Sequence, residues 1–235
     1  GLKRMHTNTL GFLIPQVDIS TLKKIAIIKA NSFLDNFEFK HSSDSDNSYL
    51  VIGQNLIGYG LEQLGYDITV VDGLGSTKTL VDVVSSGETF DYTFAADEHF
   101  TKSSTEAEQV MAIEALSKLT NIALYTTLKD YRNMHASQRF FQEPFEVKTP
   151  AGEAIIIRKR DWNKSDRQQW TNREWIIQND ELIVCAPIEC RTMYFKQLAK
   201  FSSDAGAKNF QVEKKQMYKP LFSKSFEYII CISIG

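Results

Sequence analysis

Two residues of this sequence that could bind a ligand, Gly53 and Asp72, each come directly after a short apolar segment. Gly53 follows Ile52, and Asp72 closes the apolar segment that begins at Ile68. In an α/β unit, the turn after a strand and the N-terminus of the next helix face a ligand at the carboxyl ends of the strands. The stretch from Tyr49 to Asp72 therefore predicts the first half of a nucleotide-binding unit.

Asp97 and His99 are two further candidates, and they follow the predicted strand 90–96. The pKa of an unperturbed imidazole lies near neutrality, so His99 could accept a proton from an amine or hydroxyl nucleophile. The alternative is an ordinary surface histidine in a loop. The histidines are too scattered along the chain to predict a metal site, and none is predicted; they are His6, His41, His99 and His135.

The elements that would position these residues alternate between strand and helix. This alternation predicts an α/β fold with a doubly wound, mostly parallel Rossmann-like sheet. Ile68–Val71 is apolar on both faces, which favours an internal strand, and Gly58 and Gly60 would allow close packing of a helix on the sheet. Strands are predicted at 51–52, 68–71, 90–96 and 122–127, and helices at 20–36, 56–64, 76–84 (capped by Ser76) and 106–119.

The alternation of strands and helices ends after Leu128. Three strands between residues 154 and 186, with Asn179-Asp180 as a hairpin signal, predict a small antiparallel β insertion over about 150–187. A helix over about 191–205 and strands at 210–214 and 226–234 then complete the chain. We therefore expect an N-terminal arm and helix over 1–48, and one α/β domain over 49–235 that carries the insertion.

Composition narrows the class of protein. The 235 residues carry a net charge of −2, which favours neither a nucleic-acid partner nor an anionic membrane. Three cysteines without CxxC spacing, and no apolar run of about 20 residues, fit a soluble cytoplasmic protein. The exposed edge of the β insertion could pair between subunits, so a homo-oligomer is a further expectation.

Four phrases, in this order, resemble class I S-adenosylmethionine-dependent methyltransferases of the small-molecule type. They are YLVIGQNLIGYGLEQLGYDITVVD, FDYTFAAD, NIALYTT with the insertion that follows it, and RTMYFKQLAKFSSDAGAKNFQVEKK before the terminal strand. The resemblance covers most of the chain from Tyr49 onward. It implies a mostly parallel sheet with an antiparallel C-terminal strand, S-adenosylmethionine as cofactor and a small molecule as substrate.

The resemblance also assigns roles to residues. It implies catalytic roles for Asp97 and His99, and a substrate side formed by Tyr125, Arg191 and Tyr194, although core packing is an equal alternative for Tyr125. Asp72 would accept hydrogen bonds from the ribose hydroxyls. The residues implied to bind the cofactor are Gly53, Gln54, Asn55, Asp72, Gly73 and Ala96.

The sequence departs from the family pattern at this site. The turn GQN has one glycine where the family is glycine-rich, and the interval from Asp72 to Phe90 is too short for a helix and a further strand. Three functions therefore stay open. They are methyl transfer to a small-molecule acceptor, a non-catalytic binding or scaffold role on the same fold with cofactor binding lost, and a nicotinamide-dependent oxidoreductase.

Overall fold

The computed structural model divides the chain into two compact units, which we describe separately. One unit, here the small-sheet unit, comprises residues 1–22, 101–106 and 131–192, and the other, the large-sheet unit, comprises 23–100, 107–130 and 193–235. The domain boundary predicted at residue 48 stays a prediction. The residues that the structure describes are 2–5, 19–35, 46–53, 56–72, 76–95, 99–129, 141, 144–149, 152–216 and 226–235.

The large-sheet unit is built on six strands in the order β11-β12-β5-β4-β2-β3. The pairs β2–β3, β2–β4 and β4–β5 are parallel, whereas β12 runs antiparallel to both β5 and β11. The predicted mostly parallel sheet with an antiparallel C-terminal strand is therefore confirmed. The strands are β2 (Tyr49–Ile52), β3 (Ile68–Val71), β4 (Phe90–Ala95), β5 (Thr120–Leu128), β11 (Asn209–Gln216) and β12 (Phe226–Ser233).

The expectation that Ile68–Val71 is an internal strand was wrong. In the described part of the sheet β3 lies at the edge, paired with β2 alone, and its first three residues are only half-buried. By contrast, all four residues of β2 are buried between β3 and β4. A strand of β-branched residues can lie at the edge or inside a sheet, because the sequence does not record how many neighbours a strand has.

The helices of the chain begin and end close to the predicted places, with two corrections. The helices are α1 (Ile19–Leu34), α2 (Leu56–Gln63), α3 (Leu80–Ser86), α4 (Glu106–Leu119) and α5 (Phe195–Asp204). The helix predicted to start at Ser76 starts at Leu80, because Thr79 and Asp82 form a capping box at its N-terminus. The last helix starts at Phe195, so Arg191 lies outside it. None of the helices in the described part of the chain is long and apolar enough to cross a membrane.

Aromatic rings fill one side of the large sheet. The rings of Tyr49 and Tyr92 stack at 5.7 Å between centroids, and those of Phe94 and Tyr125 stack at 5.2 Å. Phe33 of α1 meets Phe94 edge-on at 6.1 Å. These offset and edge-on arrangements are the favourable ones for aromatic pairs, and they attach α1 to the centre of the sheet.

Gly60 allows α1 and α2 to approach each other closely. A Cβ built on Gly60 would lie 2.6 Å from the carbonyl carbon of Ala26 and 2.8 Å from Cβ of Ala30, both on α1. The sequence suggested a close helix–sheet contact here, and the contact observed is between two helices.

The small-sheet unit contains a six-stranded sheet, where the sequence predicted three strands. Its order is β1-β9-β8-β7-β6, with β10 also paired to β8; β1 runs parallel to β9 and the other pairs are antiparallel. Asn179 and Asp180 form the predicted hairpin turn, both with positive φ, at 51° and 60°. The strands are β1 (Leu2–Met5), β6 (Phe145–Thr149), β7 (Gly152–Trp162), β8 (Gln169–Gln178), β9 (Glu181–Cys185) and β10 (Ile188–Arg191).

One face of this sheet is buried and contains an ion pair. Ala154, Ile156, Ile176, Ile183 and Cys185 form its apolar cluster. Beyond them on the same face, Nε of Arg158 donates to Oε1 of Glu174 at 3.0 Å. Burial lowers the pKa of the Arg158 guanidinium, and the Glu174 carboxylate opposes that effect.

Candidate functional site

Gly53 and Asp72 lie at neighbouring strand ends and are connected through the backbone. The Gly53 N–H donates to the carbonyl oxygen of Val71, the last residue of β3, at 2.8 Å. Gly53 has φ of +80°, and a Cβ built on it would have no atom within 4 Å. The turn therefore needs glycine for its backbone conformation, and none of the described residues fills the space above Gly53.

Asp72 is held in an unusual conformation at the end of β3. Its φ is +52°, which a residue other than glycine rarely adopts. Its N–H donates to the Lys78 carbonyl oxygen at 3.0 Å, and its Oδ2 accepts from the Leu80 N–H at 3.1 Å. Oδ1 accepts no hydrogen bond from the residues that the structure describes. The side chain is exposed, so this second oxygen can meet a ligand.

No complete strand lies between β3 and β4 within residues 76–89, as the short interval predicted. In its place Lys78 makes a single parallel β-bridge to Val71, on the side of β3 away from β2. α3 then begins at Leu80. The outer edge of β3 is thus partly covered by one turn of chain.

The candidates after β4 are only partly described. Asp97 and Ala96 lie outside the described residues, as do Gln54, Asn55 and Gly73 of the predicted cofactor turns. His99 opens a 3₁₀ turn, His99–Lys102, and its half-buried ring meets the ring of Phe100 edge-on at 5.6 Å. Its catalytic role stays a prediction.

Tyr125 belongs to the core of the large-sheet unit. Its side chain is buried, and its ring also stacks on that of Tyr92 at 6.4 Å. Burial raises the pKa of its hydroxyl well above the ordinary value, and Cys231 adds to this effect. This position supports the core-packing alternative over contact with a substrate.

Arg191 and Tyr194 belong to different units. Arg191 ends β10 of the small sheet, where its Nη1 donates to Oδ2 of Asp166 at 2.6 Å and holds the pKa of that carboxyl low. Tyr194 precedes α5 of the large-sheet unit, and its N–H donates to Oε1 of Gln197 at 3.0 Å. Of the predicted site residues, the structure thus brings Gly53 and Asp72 together.

Solved structures match this fold over nearly its whole length. No family model and no curated protein sequence matches the chain. An S-adenosylmethionine-dependent methyltransferase from Clostridium acetobutylicum matches with a TM-score of 0.56 at 10% identity, covering 93% of each chain. The CcbJ methyltransferase from Streptomyces caelestis matches at 0.57 and 12% identity, covering 91% of this chain and 90% of its own.

A third match is CalS10, an amino pentose methyltransferase from Micromonospora echinaspora solved with S-adenosylmethionine bound. Its TM-score is 0.55 at 9% identity, and the match covers 91% of this chain and 92% of its own. The chain has the class I S-adenosylmethionine-dependent methyltransferase fold. In this fold Gly53 directly follows β2 and Asp72 directly follows β3, and these are the positions that the resemblance of residues 49–72 implied.

The sequence missed the part of the site that surrounds Asp72. The sequence predicts Ser76 as a helix cap, whereas in the structure its hydroxyl donates to the Val70 carbonyl oxygen at 2.6 Å. The spacing of Thr79 and Asp82 is the capping-box signal that could have placed the start of α3 correctly. With that start, the Leu80 N–H falls at the N-terminus of the helix, where a carboxylate is a favourable partner.

Proposed function

We propose that this protein transfers a methyl group from S-adenosylmethionine to a small-molecule acceptor. The observation that carries the proposal is the pair of neighbouring strand ends joined by the Gly53–Val71 hydrogen bond. There the turn at Gly53 lies beside the exposed Asp72 carboxylate, whose Oδ1 takes no hydrogen bond from the described residues. The matches to small-molecule methyltransferases, among them an amino pentose methyltransferase, support the same class of reaction.

The described residues fit the nucleoside part of this cofactor. The open, left-handed turn at Gly53 lets a ligand approach the backbone closely, and Asp72 can accept hydrogen bonds from ribose hydroxyls. We propose that Gln54, Asn55, Gly73 and Ala96 complete the cofactor site. When bound, S-adenosylmethionine would supply a methyl group on a sulfonium centre, which a nucleophile can attack directly.

The protein's own contribution would be mainly to bind and orient. An acceptor nitrogen or oxygen would bond to the methyl carbon as the sulfur–methyl bond breaks, leaving S-adenosylhomocysteine and a proton from the acceptor. Alignment of the two reactants supplies most of the rate in such a transfer. We propose Asp97 and His99 as acceptors of that proton, and Arg191 and Tyr194 as contacts to the substrate.

Cofactor binding is the first test. Isothermal titration with S-adenosylhomocysteine should give micromolar binding to the whole chain. Asp72→Ala should weaken binding about tenfold or more, because charge-assisted hydrogen bonds are each worth roughly 1.5–3 kcal/mol. The control is Asp67→Ala, an exposed carboxylate just before the amino end of the same strand. Absence of binding at millimolar cofactor would overturn the proposal.

A non-catalytic role on the same fold is the second candidate. It is favoured by the single β-bridge at Lys78, where the resemblance implies a strand, and by the Leu80 N–H already bound to Asp72. Incubation with radiolabelled cofactor and a panel of small amines and alcohols separates the two. No cofactor binding and no labelled product would favour this non-catalytic role, whereas cofactor binding with labelled product would favour methyl transfer. Binding of NADH in place of S-adenosylhomocysteine would instead favour the oxidoreductase.

A further inference from the structure

The segment Ser76–Leu80 lies along the outer edge of β3. Outward-facing backbone groups at the edge of a sheet need partners other than the sheet itself. The Val70 carbonyl oxygen accepts a hydrogen bond from the Ser76 hydroxyl at 2.6 Å, and the Asp72 N–H donates to the Lys78 carbonyl oxygen at 3.0 Å. The segment therefore pairs backbone groups on both sides of Val71, as a neighbouring strand would do.

Ser76 is the side chain that holds this segment in place. Its Oγ lies 2.6 Å from the Val70 oxygen and 3.1 Å from the Lys78 oxygen, and it accepts from the Lys78 N–H at 3.3 Å. A hydroxyl has one proton to donate, and the shorter distance directs it mainly to Val70. One hydroxyl thus attaches Lys78 to the strand that ends in Asp72.

Lys78 and Leu80 in turn fix Asp72. The Lys78 carbonyl oxygen accepts from the Asp72 N–H, and the Leu80 N–H donates to the Asp72 carboxylate. The backbone of Asp72 has φ of +52°. A left-handed conformation at a residue other than glycine is unfavourable and persists only where the surroundings hold it. The direction of the carboxylate therefore depends on the segment that Ser76 anchors.

We propose that Ser76 is a positioning residue for the cofactor's ribose, and that it acts through Asp72. By anchoring Lys78 to β3 it holds the Leu80 N–H against Oδ2, which leaves Oδ1 directed to the ribose hydroxyls. This inference rests on the proposed function. Residues 76–80 lie where the resemblance implies a strand. In this proposal they are the segment that holds the Asp72 carboxylate in place for the ribose.

The first experiment compares two serines that flank α3. Ser76→Ala should weaken S-adenosylhomocysteine binding about fivefold to tenfold in isothermal titration, the worth of one ordinary hydrogen bond. Ser86→Ala is the matched control, because that hydroxyl donates to Val83 at 2.7 Å and accepts from Glu88 at 3.2 Å at the far end of the helix. The affinity of Ser86→Ala for S-adenosylhomocysteine should stay within twofold of wild type, and Ser76→Thr should bind with the wild-type affinity.

A double-mutant cycle tests whether Ser76 acts through Asp72. If it does, Ser76→Ala combined with Asp72→Ala should bind no more weakly than Asp72→Ala alone. Additive losses would overturn the positioning role and leave Ser76 with an effect of its own. Once a methyl acceptor is known, Ser76→Ala should raise the KM for the cofactor and leave kcat within twofold of wild type.

A measurement without cofactor separates this inference from the proposed function. Amide hydrogen exchange at Leu80 should be about fivefold to tenfold faster in Ser76→Ala and unchanged in Ser86→Ala, because Asp72 would no longer be held against that N–H. Unchanged exchange at Leu80 would overturn the inference by itself. Wild-type protein that binds no cofactor would overturn the proposed function and the ribose role together, whereas equal binding by wild type and Ser76→Ala would overturn this inference alone.

Discussion

Gly60→Ala should destabilise the protein, although helix propensity by itself predicts the opposite sign. An alanine in a helix interior is normally better than glycine by about 1 kcal/mol. At Gly60, however, the new methyl group would lie 2.6 Å from the Ala26 carbonyl carbon and closer still to its oxygen. An extra methyl in a well-packed core costs about 1–3 kcal/mol, and this one meets backbone that cannot rotate away. We take the upper end, about 3 kcal/mol.

The expected net loss is therefore about 2 kcal/mol. For a chain of this size each kcal/mol lowers Tm by roughly 2–4 °C, so the transition of the unit that contains α1 and α2 should fall by about 4–8 °C. Circular dichroism melts of wild type and variant measure this directly. Glu62→Ala is the control, because it adds no atoms at an exposed position of the same helix; its Tm should stay within about 1 °C.

The backbone explanation has a second check. Ala30→Gly removes the neighbouring side-chain Cβ at 2.8 Å and leaves the Ala26 carbonyl where it is. Adding Ala30→Gly to Gly60→Ala should therefore recover none of the lost stability. A Tm for Gly60→Ala equal to or above that of wild type, or full recovery in the double variant, would refute the reasoning.

Three further predictions concern single groups. Thr79→Ala removes the side-chain cap of α3 and should cost about 1 kcal/mol in urea unfolding; no loss would show that the capping box is dispensable. Glu174→Gln leaves a mostly buried guanidinium without its carboxylate and should cost about 3 kcal/mol, whereas Glu174→Leu with Arg158→Leu should cost less. Burial, and then the Glu174 charge, raise the pKa of Cys185 from 9.0 to about 11. The folded state then holds the thiol proton more tightly than the unfolded state. Its contribution to the free energy of unfolding is therefore complete below pH 9 and is lost as the pH rises to 11. Urea midpoints should fall over that range, and should fall less steeply in Cys185→Ala.

The sequence predicted the fold well because local patterns encoded it. Apolar segments bounded by turn residues located the strands, and the Asn179-Asp180 pair located the hairpin between β8 and β9. These signals depend on neighbouring residues alone, so they can be read without knowledge of what packs against them. The sequence prediction missed three strands of the small sheet, β1, β6 and β10. For β1 the reason is that it joins the sheet from more than 170 residues away in the chain.

The positions of Gly53 and Asp72 could be predicted, and their surroundings could not. The sequence places both residues directly after strands, where the carboxyl ends of parallel strands face a ligand, and their role in binding a cofactor stays a prediction. The hydrogen bonds that fix Asp72 were missed because Ser76 and Thr79 are both good caps, and only the packed structure shows which of them starts α3. For Tyr125 the sequence left substrate contact and core packing as equals, and the stacked rings of Phe94 and Tyr92 favour the core.

By itself, then, the sequence determined the alternating strands and helices of residues 49–128 and the places of Gly53 and Asp72 directly after two of those strands. Both follow from local composition and from the geometry of parallel α/β units. Only the tertiary structure decided that β3 is an edge strand, that Gly60 serves a contact between two helices, and that Lys78 and Leu80 both bond to Asp72. Each of these depends on groups brought together from separate elements, and side-chain type at one position does not specify its partner in space.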